Sequence, residues 1–390
     1  MQARRLRCRT PASVALTQEA LYRELDLELS WSESDLPERE RTKHVHRLHP
    51  YLGKFIPQLV EVLLERYFQP GQHVLDPFAG SGTTLVQALE SGLEATGVDV
   101  AAFNCLLMEV KTRRYDLFSL EREIRDAVRE LDSYSARKCS PGRASEYLRD
   151  WYAPSALSEL LYFRHLCARY EHADVLRVVL ARAARSARRT RHFDLDFPKA
   201  PQLEPYWCHK HRRTCRPVES ASHFLRRYAL DTLARIKEFQ RLRACDRRAE
   251  VVHGDARTLR LSGAFDGIIT SPPYPGLIDY HEQHRYAYEL LGLADRRQAE
   301  LGAAKRGTSR SALVDYCDGI VDVLRNVRRT LRPGAPIAIV VNDRRDLYPA
   351  ILERAGLELE ERYRRHVNRR TGRRAGEFFE DVLIARGTGA

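Results

Sequence analysis

No apolar run in the 390 residues is long enough to span a membrane, and none has the form of an export leader. A membrane-embedded or secreted protein is therefore not expected. Cysteine is sparse and scattered, at positions 8, 105, 139, 167, 208, 215, 245 and 317, which argues for a reducing cytoplasm and against a disulfide framework. No internal repeat period is visible. No Gly-Lys-Ser/Thr phosphate loop occurs, and the glycine turn at 80–82 runs G-x-G and then two threonines, not G-x-G-x-x-G. Phosphate cradling and nicotinamide chemistry are thereby disfavoured relative to binding of a nucleoside. Lysine is scarce too, outnumbered by arginine 57 to 8. A GC-rich genome produces the same bias, so composition alone does not name a partner.

What is present is positive charge. A net charge of +12 makes an acidic polymer a better partner than a neutral metabolite. The charge is concentrated, with twelve Lys/Arg against four acids between Arg182 and Tyr228. The length suits one large α/β domain with an inserted or appended subdomain.

Residues 17–30 read as a helix carrying Leu21, Leu25 and Leu29, followed by a charged linker to Arg41. The turn His49 to Pro57 ends in a proline suited to the first position of a helix with Leu59, Val60, Leu63 and Leu64. Strand, glycine turn and helix follow over Val74 to Leu85. The next strand is Ala95 to Val100, with Asp99 near its end, and a helix spans Ala101 to Val110. Residues 115–245 interrupt this rhythm with helical patterns and an irregular stretch rich in Pro, His and Cys between 192 and 222. Strands resume at Val251 to Asp255 and Phe265 to Thr270. A helix over 312–331, a strand over Ala335 to Val341, a helix over 346–355 and strands over Leu357 to His366 and Glu377 to Ala385 complete the chain. The pattern predicts a mostly parallel α/β sheet with a terminal antiparallel strand pair and helices on both faces. It divides into a lead-in (1–43), a sheet domain (44–114 and 246–390) and a largely helical insertion (115–245). Ligands of such sheets bind at the carboxyl ends of the strands, where Asp76 to Gly82, Asp99, Asp255 and Ser271 to Tyr274 all fall.

The last of these carries the most chemistry. In Ile268-Ile269-Thr270-Ser271-Pro272-Pro273-Tyr274 a β-branched strand ends in a proline-fixed loop that presents one hydroxyl and one aromatic ring. Consecutive prolines remove backbone donors, so nearby carbonyls are free to accept from an exocyclic amine of a nucleobase. Asp99 is placed to accept from ribose hydroxyls, with a helix N-cap as its alternative. Asp255 is placed to accept from an adenine amine or to shape a turn.

Together these residues resemble the S-adenosylmethionine-dependent DNA amino-methyltransferases, over most of the chain outside 115–245. In that family D-P-F-x-G-S-G-T-T, here Asp76 to Thr84, binds the methionine part of the cofactor. The resemblance thus implies cofactor contacts from Asp76, Phe78, Ala79, Gly80, Gly82 and Thr83, beside Asp99 and Asp255. His49 to Pro57 looks like the family's N-terminal cofactor motif, which implies Lys54 and Phe55 near the methionine carboxylate. The S-P-P-Y loop is the form typical of the cytosine-N4 branch, whereas an acid or Asn before the prolines is typical of the adenine-N6 branch. It implies Ser271, Pro272, Pro273 and Tyr274 as the catalytic set. The implied fold is the Rossmann-like class I methyltransferase sheet. The implied activity is site-specific methyl transfer from S-adenosylmethionine to N4 of a flipped cytosine in double-stranded DNA. Restriction-modification or host defence is the implied setting, with a separately encoded endonuclease as a partner. Asp255 follows the insertion instead of preceding it, so the motif-order subclass stays open. Adenine-N6 DNA or RNA methylation, and a non-catalytic DNA-binding regulator on the same fold, stay open as alternatives. Carbon-5 methylation needs a Cys nucleophile, commonly after a proline, and no Pro-Cys pair occurs.

In the insertion, Arg188, Arg189, Arg191, Tyr206, Trp207, Arg212, Arg213 and Arg216 are candidate DNA contacts, mixing stacking with phosphate neutralisation. Cys208-His209-Lys210-His211 with Cys215 contains zinc-ligand residue types. A second cysteine pair at ligand spacing is missing, and the stretch is read as a basic DNA-contacting loop with no metal assigned. Seven arginines between Arg362 and Arg374 form a second basic stretch, suited to clamping a nucleic-acid backbone or to solvating a hairpin tip.

Overall fold

The computed structural model describes residues 27–31, 35–53, 55–134, 144–244, 246–367 and 378–387. Lys54, residues 17–26 of the expected first helix, and Arg369, Arg370, Arg373 and Arg374 lie outside them. In chain order the strands are β1 (His73–Asp76), β2 (Glu94–Asp99), β3 (Tyr206–Cys208), β4 (Arg213–Cys215), β5 (Ala249–His253), β6 (Gly267–Thr270), β7 (Ile337–Val341), β8 (Leu357–Val367) and β9 (Phe378–Gly387). Seven of them make one sheet in the order β5-β2-β1-β6-β7-β9-β8, parallel except that β9 runs antiparallel to both its neighbours. The sheet is the expected α/β class. β3 and β4 form a separate antiparallel hairpin within the irregular 192–222 stretch.

The strands are apolar on both faces because both are covered. Side chains alternate along a strand. Val74, Ile269, Ala338, Val340, Val382 and Ile384 therefore enter one core, while Leu75, Ile268, Ile337, Ile339, Leu383 and Ala385 enter the other. The first face packs on helices α1 (Pro57–Tyr67) and α2 (Thr83–Glu90), with Met108 of α3 (Ala102–Thr112) alongside. The insertion supplies α4 (Leu117–Asp132), α5 (Pro154–Cys167), α6 (Ala173–Ala187) and α7 (Ser222–Leu242). After the proline loop come α8 (Arg285–Leu291), α9 (Arg310–Arg328) and α10 (Tyr348–Ala355), the last two covering the second face.

The helical insertion is not a satellite. Leu120, Leu157, Val178 and Phe239 from it share one buried cluster with Val45, Val86, Phe103 and Tyr286 from the sheet domain. Truncating Phe103 or Phe239 to Ala would cost about 3–5 kcal/mol. Where the insertion rejoins the sheet domain, buried Arg243 donates to the carbonyls of Thr112 and Arg247, clasping its two ends together. Among the described residues no helix is long and apolar enough to cross a membrane.

Candidate active site

Sheet order reverses direction between β1 and β6, and the crevice at their carboxyl ends is where the glycine turn and the proline loop meet. Gly80 and Gly82 adopt φ of +51° and +80°, a region that side chains disfavour. A Cβ on Gly82 would stand 2.8 Å from Met108 Cγ, so the turn needs glycine for packing as well. The turn is pinned to β2 by Ala79 N donating to Val98 O at 3.1 Å and Gly80 N donating to Asp99 Oδ2 at 2.9 Å.

Asp76 holds the two motifs together from behind. Its buried carboxylate accepts from Thr84 Oγ1 at 2.6 Å, Thr270 Oγ1 at 2.6 Å and Phe78 N at 3.1 Å. Burial pushes it up to about 6 against these hydrogen bonds. Neither Asp76 nor Gly82 is in the cavity wall.

The cavity has about 810 Å³ of empty space, counting the part open to solvent. Phe55, Phe78, Ala79, Gly80, Thr83, Asp99, Asp255, Ser271 and Pro273 all line it. Asp99 borders the cavity but is not the N-cap of α3, which is Ala101 and has no side-chain cap bond. Its Oδ1 accepts from Ala101 N at 2.8 Å, bracing the turn between β2 and α3, and burial pushes the carboxyl up to about 6. Asp255 is chelated by its neighbour Arg257, at 2.6 Å from Nη2, which overcomes the effect of burial and holds it below the usual carboxylate range.

Sequence reasoning named Thr83 but missed several other wall residues. Ser81 Oγ, Thr83 Oγ1 and Asn104 Oδ1 are buried polar atoms without a partner, and all three residues face the cavity. Tyr51 stacks on Tyr280 with ring centroids 5.5 Å apart, and Asn104 Nδ2 donates to its hydroxyl at 3.0 Å. Buried Glu300 accepts from Tyr280 N at 2.6 Å and meets His281 Nδ1 at 3.0 Å. The only hint of this group was the polar density of Asp279 to Arg285. His284 turns inward, and burial pushes it down to about 3, so it stays neutral. The described wall thus carries three carboxylates, Asp99, Asp255 and Glu300, and no Lys or Arg. Such a wall suits a cationic ligand and repels a bare phosphate.

The proline loop is anchored at three points. Thr270 bonds Asp76, Ser271 Oγ donates to Val340 O at 2.9 Å, and Tyr274 Oη donates to Glu380 Oε1 at 3.0 Å. Glu380 in turn pairs with buried Arg365 at 3.4 Å. Because Ser271 spends its hydrogen on Val340, its remaining lone pairs are acceptors. Ser271 and Pro273 face the cavity, whereas Pro272 is buried. Tyr274 is half-buried against the second core and is not part of the wall; burial and Glu380 hold its hydroxyl well above the usual range.

A family profile described as DNA methylase matches residues 17–109. The type II methyltransferase M.MjaII of Methanocaldococcus jannaschii is 36% identical over 449 aligned residues, covering 94% of this chain and 84% of its own. The chain belongs to the type II DNA methyltransferases. M.BsoBI of Geobacillus stearothermophilus, another type II methyltransferase, is 23% identical over 71% of this chain and 59% of its own. Among solved structures, TrmN from Thermus thermophilus aligns over 86% of this chain and 50% of its own, with a TM-score of 0.35 and 14% identity. This methyltransferase uses S-adenosylmethionine, and its acidic, part-unsatisfied wall fits a cofactor bearing a sulfonium and an ammonium.

The methyltransferase's candidate DNA contacts divide by orientation. Arg191, Trp207, Arg212, Arg213 and Arg216 are exposed, and Arg189 is half-buried. Arg188 is buried, donating to Leu195 O at 2.8 Å and lying 4.5 Å from the Tyr286 ring centroid. Tyr206 is buried with its hydroxyl 2.9 Å from His192 Nδ1. Both are therefore withdrawn from a phosphate, because charge and ring type do not reveal which way a side chain points. In the second basic stretch Arg362 is committed to Asp346 and Asp381.

Proposed function

We propose that this enzyme methylates the exocyclic N4 of a cytosine in duplex DNA, with the target base flipped out of the helix. The observation that carries the proposal is Ser271. At the position before the two prolines it supplies a neutral hydroxyl oxygen, fixed by Val340 and facing the cofactor cavity.

Cytosine's amine lone pair is conjugated with the ring and must be turned toward the methyl donor before it attacks. Ser271 Oγ and the Pro272 carbonyl each accept one amine hydrogen, which orients the nitrogen and stabilises the positive charge that develops on it. The exposed part of the Tyr274 ring stacks on the base, and Glu380 keeps that ring in place. Extrusion is required because the amine is inaccessible inside a duplex. Asp99 accepts from the cofactor's ribose hydroxyls. Ser81, Thr83 and Asn104 serve its methionine end beside Phe55, and Asp255 borders the adenine. When bound, S-adenosylmethionine supplies an electrophilic methyl on a good leaving group. No enzyme nucleophile is needed, and the surplus amine proton passes to water. The setting is restriction-modification or host defence, beside a separately encoded endonuclease.

The test is to incubate the protein with duplex DNA and labelled S-adenosylmethionine at low salt, digest the DNA to nucleosides and identify the product by mass spectrometry. N4-methyldeoxycytidine is expected. N6-methyldeoxyadenosine would move the enzyme to the adenine branch, and absence of label from every base would sink the assignment.

A further inference from the structure

A second constellation of functional side chains lies in the insertion, apart from the cofactor cavity. The β3–β4 register sets Tyr206 opposite Cys215 and Cys208 opposite Arg213. Alternation along the strands puts Tyr206, Cys208, Arg213 and Cys215 on one face, where the cysteines are buried and Arg213 reaches solvent, and Trp207 and Thr214 on the exposed other face. The connecting turn, closed by His211 N donating to Cys208 O at 3.2 Å, brings His211 back over the cysteines. His192, from the segment after α6, completes the group.

The distances match a metal's coordination polyhedron. Cys208 Sγ lies 3.4 Å from His192 Nδ1 and 3.7 Å from His211 Nδ1, and His211 Nδ1 lies 3.4 Å from Cys215 Sγ. The ligand atoms of the four residues are all within 4.8 Å of one another. Zinc bonds of about 2.3 Å to sulfur and about 2.0–2.1 Å to nitrogen in a tetrahedron give sulfur–nitrogen edges of roughly 3.6 Å.

Hydrogen bonds tie this segment to the end of α6, but it has little apolar core of its own. The hairpin's buried cluster is Tyr206, Cys208 and Cys215 alone. Phe193, Phe197, Leu203 and Trp207 around it are 58–69% exposed. Two three-residue strands are not stable by themselves, and small units without an apolar core commonly rely on a metal or a disulfide. The cysteines are free thiols in the structure.

We propose that His192, Cys208, His211 and Cys215 bind one zinc ion as a closed, four-coordinate structural site. Both thiols lose their protons to solvent, so two thiolates neutralise the ion and the two imidazoles bind as neutral donors. All four positions are taken by protein, so the site has no vacancy for a substrate. The ion fixes a hairpin whose outer surface displays Trp207, Lys210, Arg212, Arg213 and Arg216. That those residues meet DNA rests on the proposed function; the metal does not.

Metal content tests this without reading methylation. Untagged full-length protein, purified without chelator and gel-filtered, is expected to carry one zinc per chain by plasma mass spectrometry. Replacement by cobalt is expected to give the visible bands and sulfur-to-metal charge transfer of a tetrahedral thiolate site. Cys208→Ser and Cys215→Ser should lose most of the zinc, and His209→Ala, an exposed neighbour outside the group, should keep it. If a variant does not fold, the cobalt spectrum of the unaltered protein decides. Zinc below about a tenth per chain with no cobalt–thiolate spectrum, or a Cys208–Cys215 disulfide in non-reduced peptide mapping, would overturn the site.

Discussion

At the carboxyl ends of β1 and β6, Asp76 sits between two hydrophobic cores with three hydrogen-bond donors around it. In the β3–β4 hairpin, Cys208 and Cys215 have only Tyr206 as buried company. Both places hold polar side chains in fixed positions, but the first does so with the burial of a whole sheet and the second has no such reserve. Geometry at the strand ends is therefore a by-product of folding. Geometry in the hairpin has to be supplied locally, and there a coordinated ion replaces the missing core.

That contrast is open to attack, beginning where the expected effect is greatest. Ser271→Ala should lower kcat on the order of a hundredfold while melting temperature and cofactor affinity, by calorimetry, stay near the starting protein. A comparable loss of cofactor binding would mean that the loop is scaffold and not machinery. Next, removing the metal with a chelator should weaken duplex binding by tens of fold in a fluorescence titration and leave S-adenosylmethionine binding unchanged. Equal losses in both would show that hairpin and sheet are one unit.

Within the sheet region, Asp99 and Asp76 both titrate at about 6 because both are buried, yet they face different ways. Affinity for sinefungin, an unreactive cofactor analogue, should fall about tenfold between pH 7 and pH 5 as Asp99 gains a proton, and Asp99→Asn should flatten the profile. Asp76, which lies outside the cavity wall, should appear in stability alone. Its folded value lies above the roughly 3.9 of an unfolded carboxyl, so its contribution is complete below about pH 4 and is lost as pH rises through about 6. Asp76→Asn should remove up to about 3 kcal/mol of that pH dependence in urea melts. Tyr274→Phe keeps the ring and removes the bond to Glu380, and should cost only a few-fold in kcat. Finally, Arg213→Ala should reduce the salt slope of DNA binding by about one, with no change in base preference.

The strand positions were legible because β-branched runs between turn signals leave few other options, and the acids at their ends followed from position. The second half of the cofactor wall was not. Tyr51, Asn104, Tyr280 and Glu300 come from four separate segments, and only the packing of α8 on the helical insertion brings the last two beneath the glycine turn. Arg188 looked like part of a basic surface because a sequence displays charge and not direction. The metal group was half visible: three ligands stood within Cys208 to Cys215, and the fourth, His192, lay in an irregular stretch where no periodicity could place it.

One feature of the sheet bears on how the chain is made. β5 covers the outer edge of β2, yet it is not synthesised until residue 249, long after β2 ends at Asp99. At about 5–20 residues per second a ribosome leaves that edge bare for roughly eight to thirty seconds. Bare edges recruit other strands. The helices emerging in that interval pack on α2 and α3, so a nascent chain acquires its helical half first, and a chaperone that shields β strands has its natural window there.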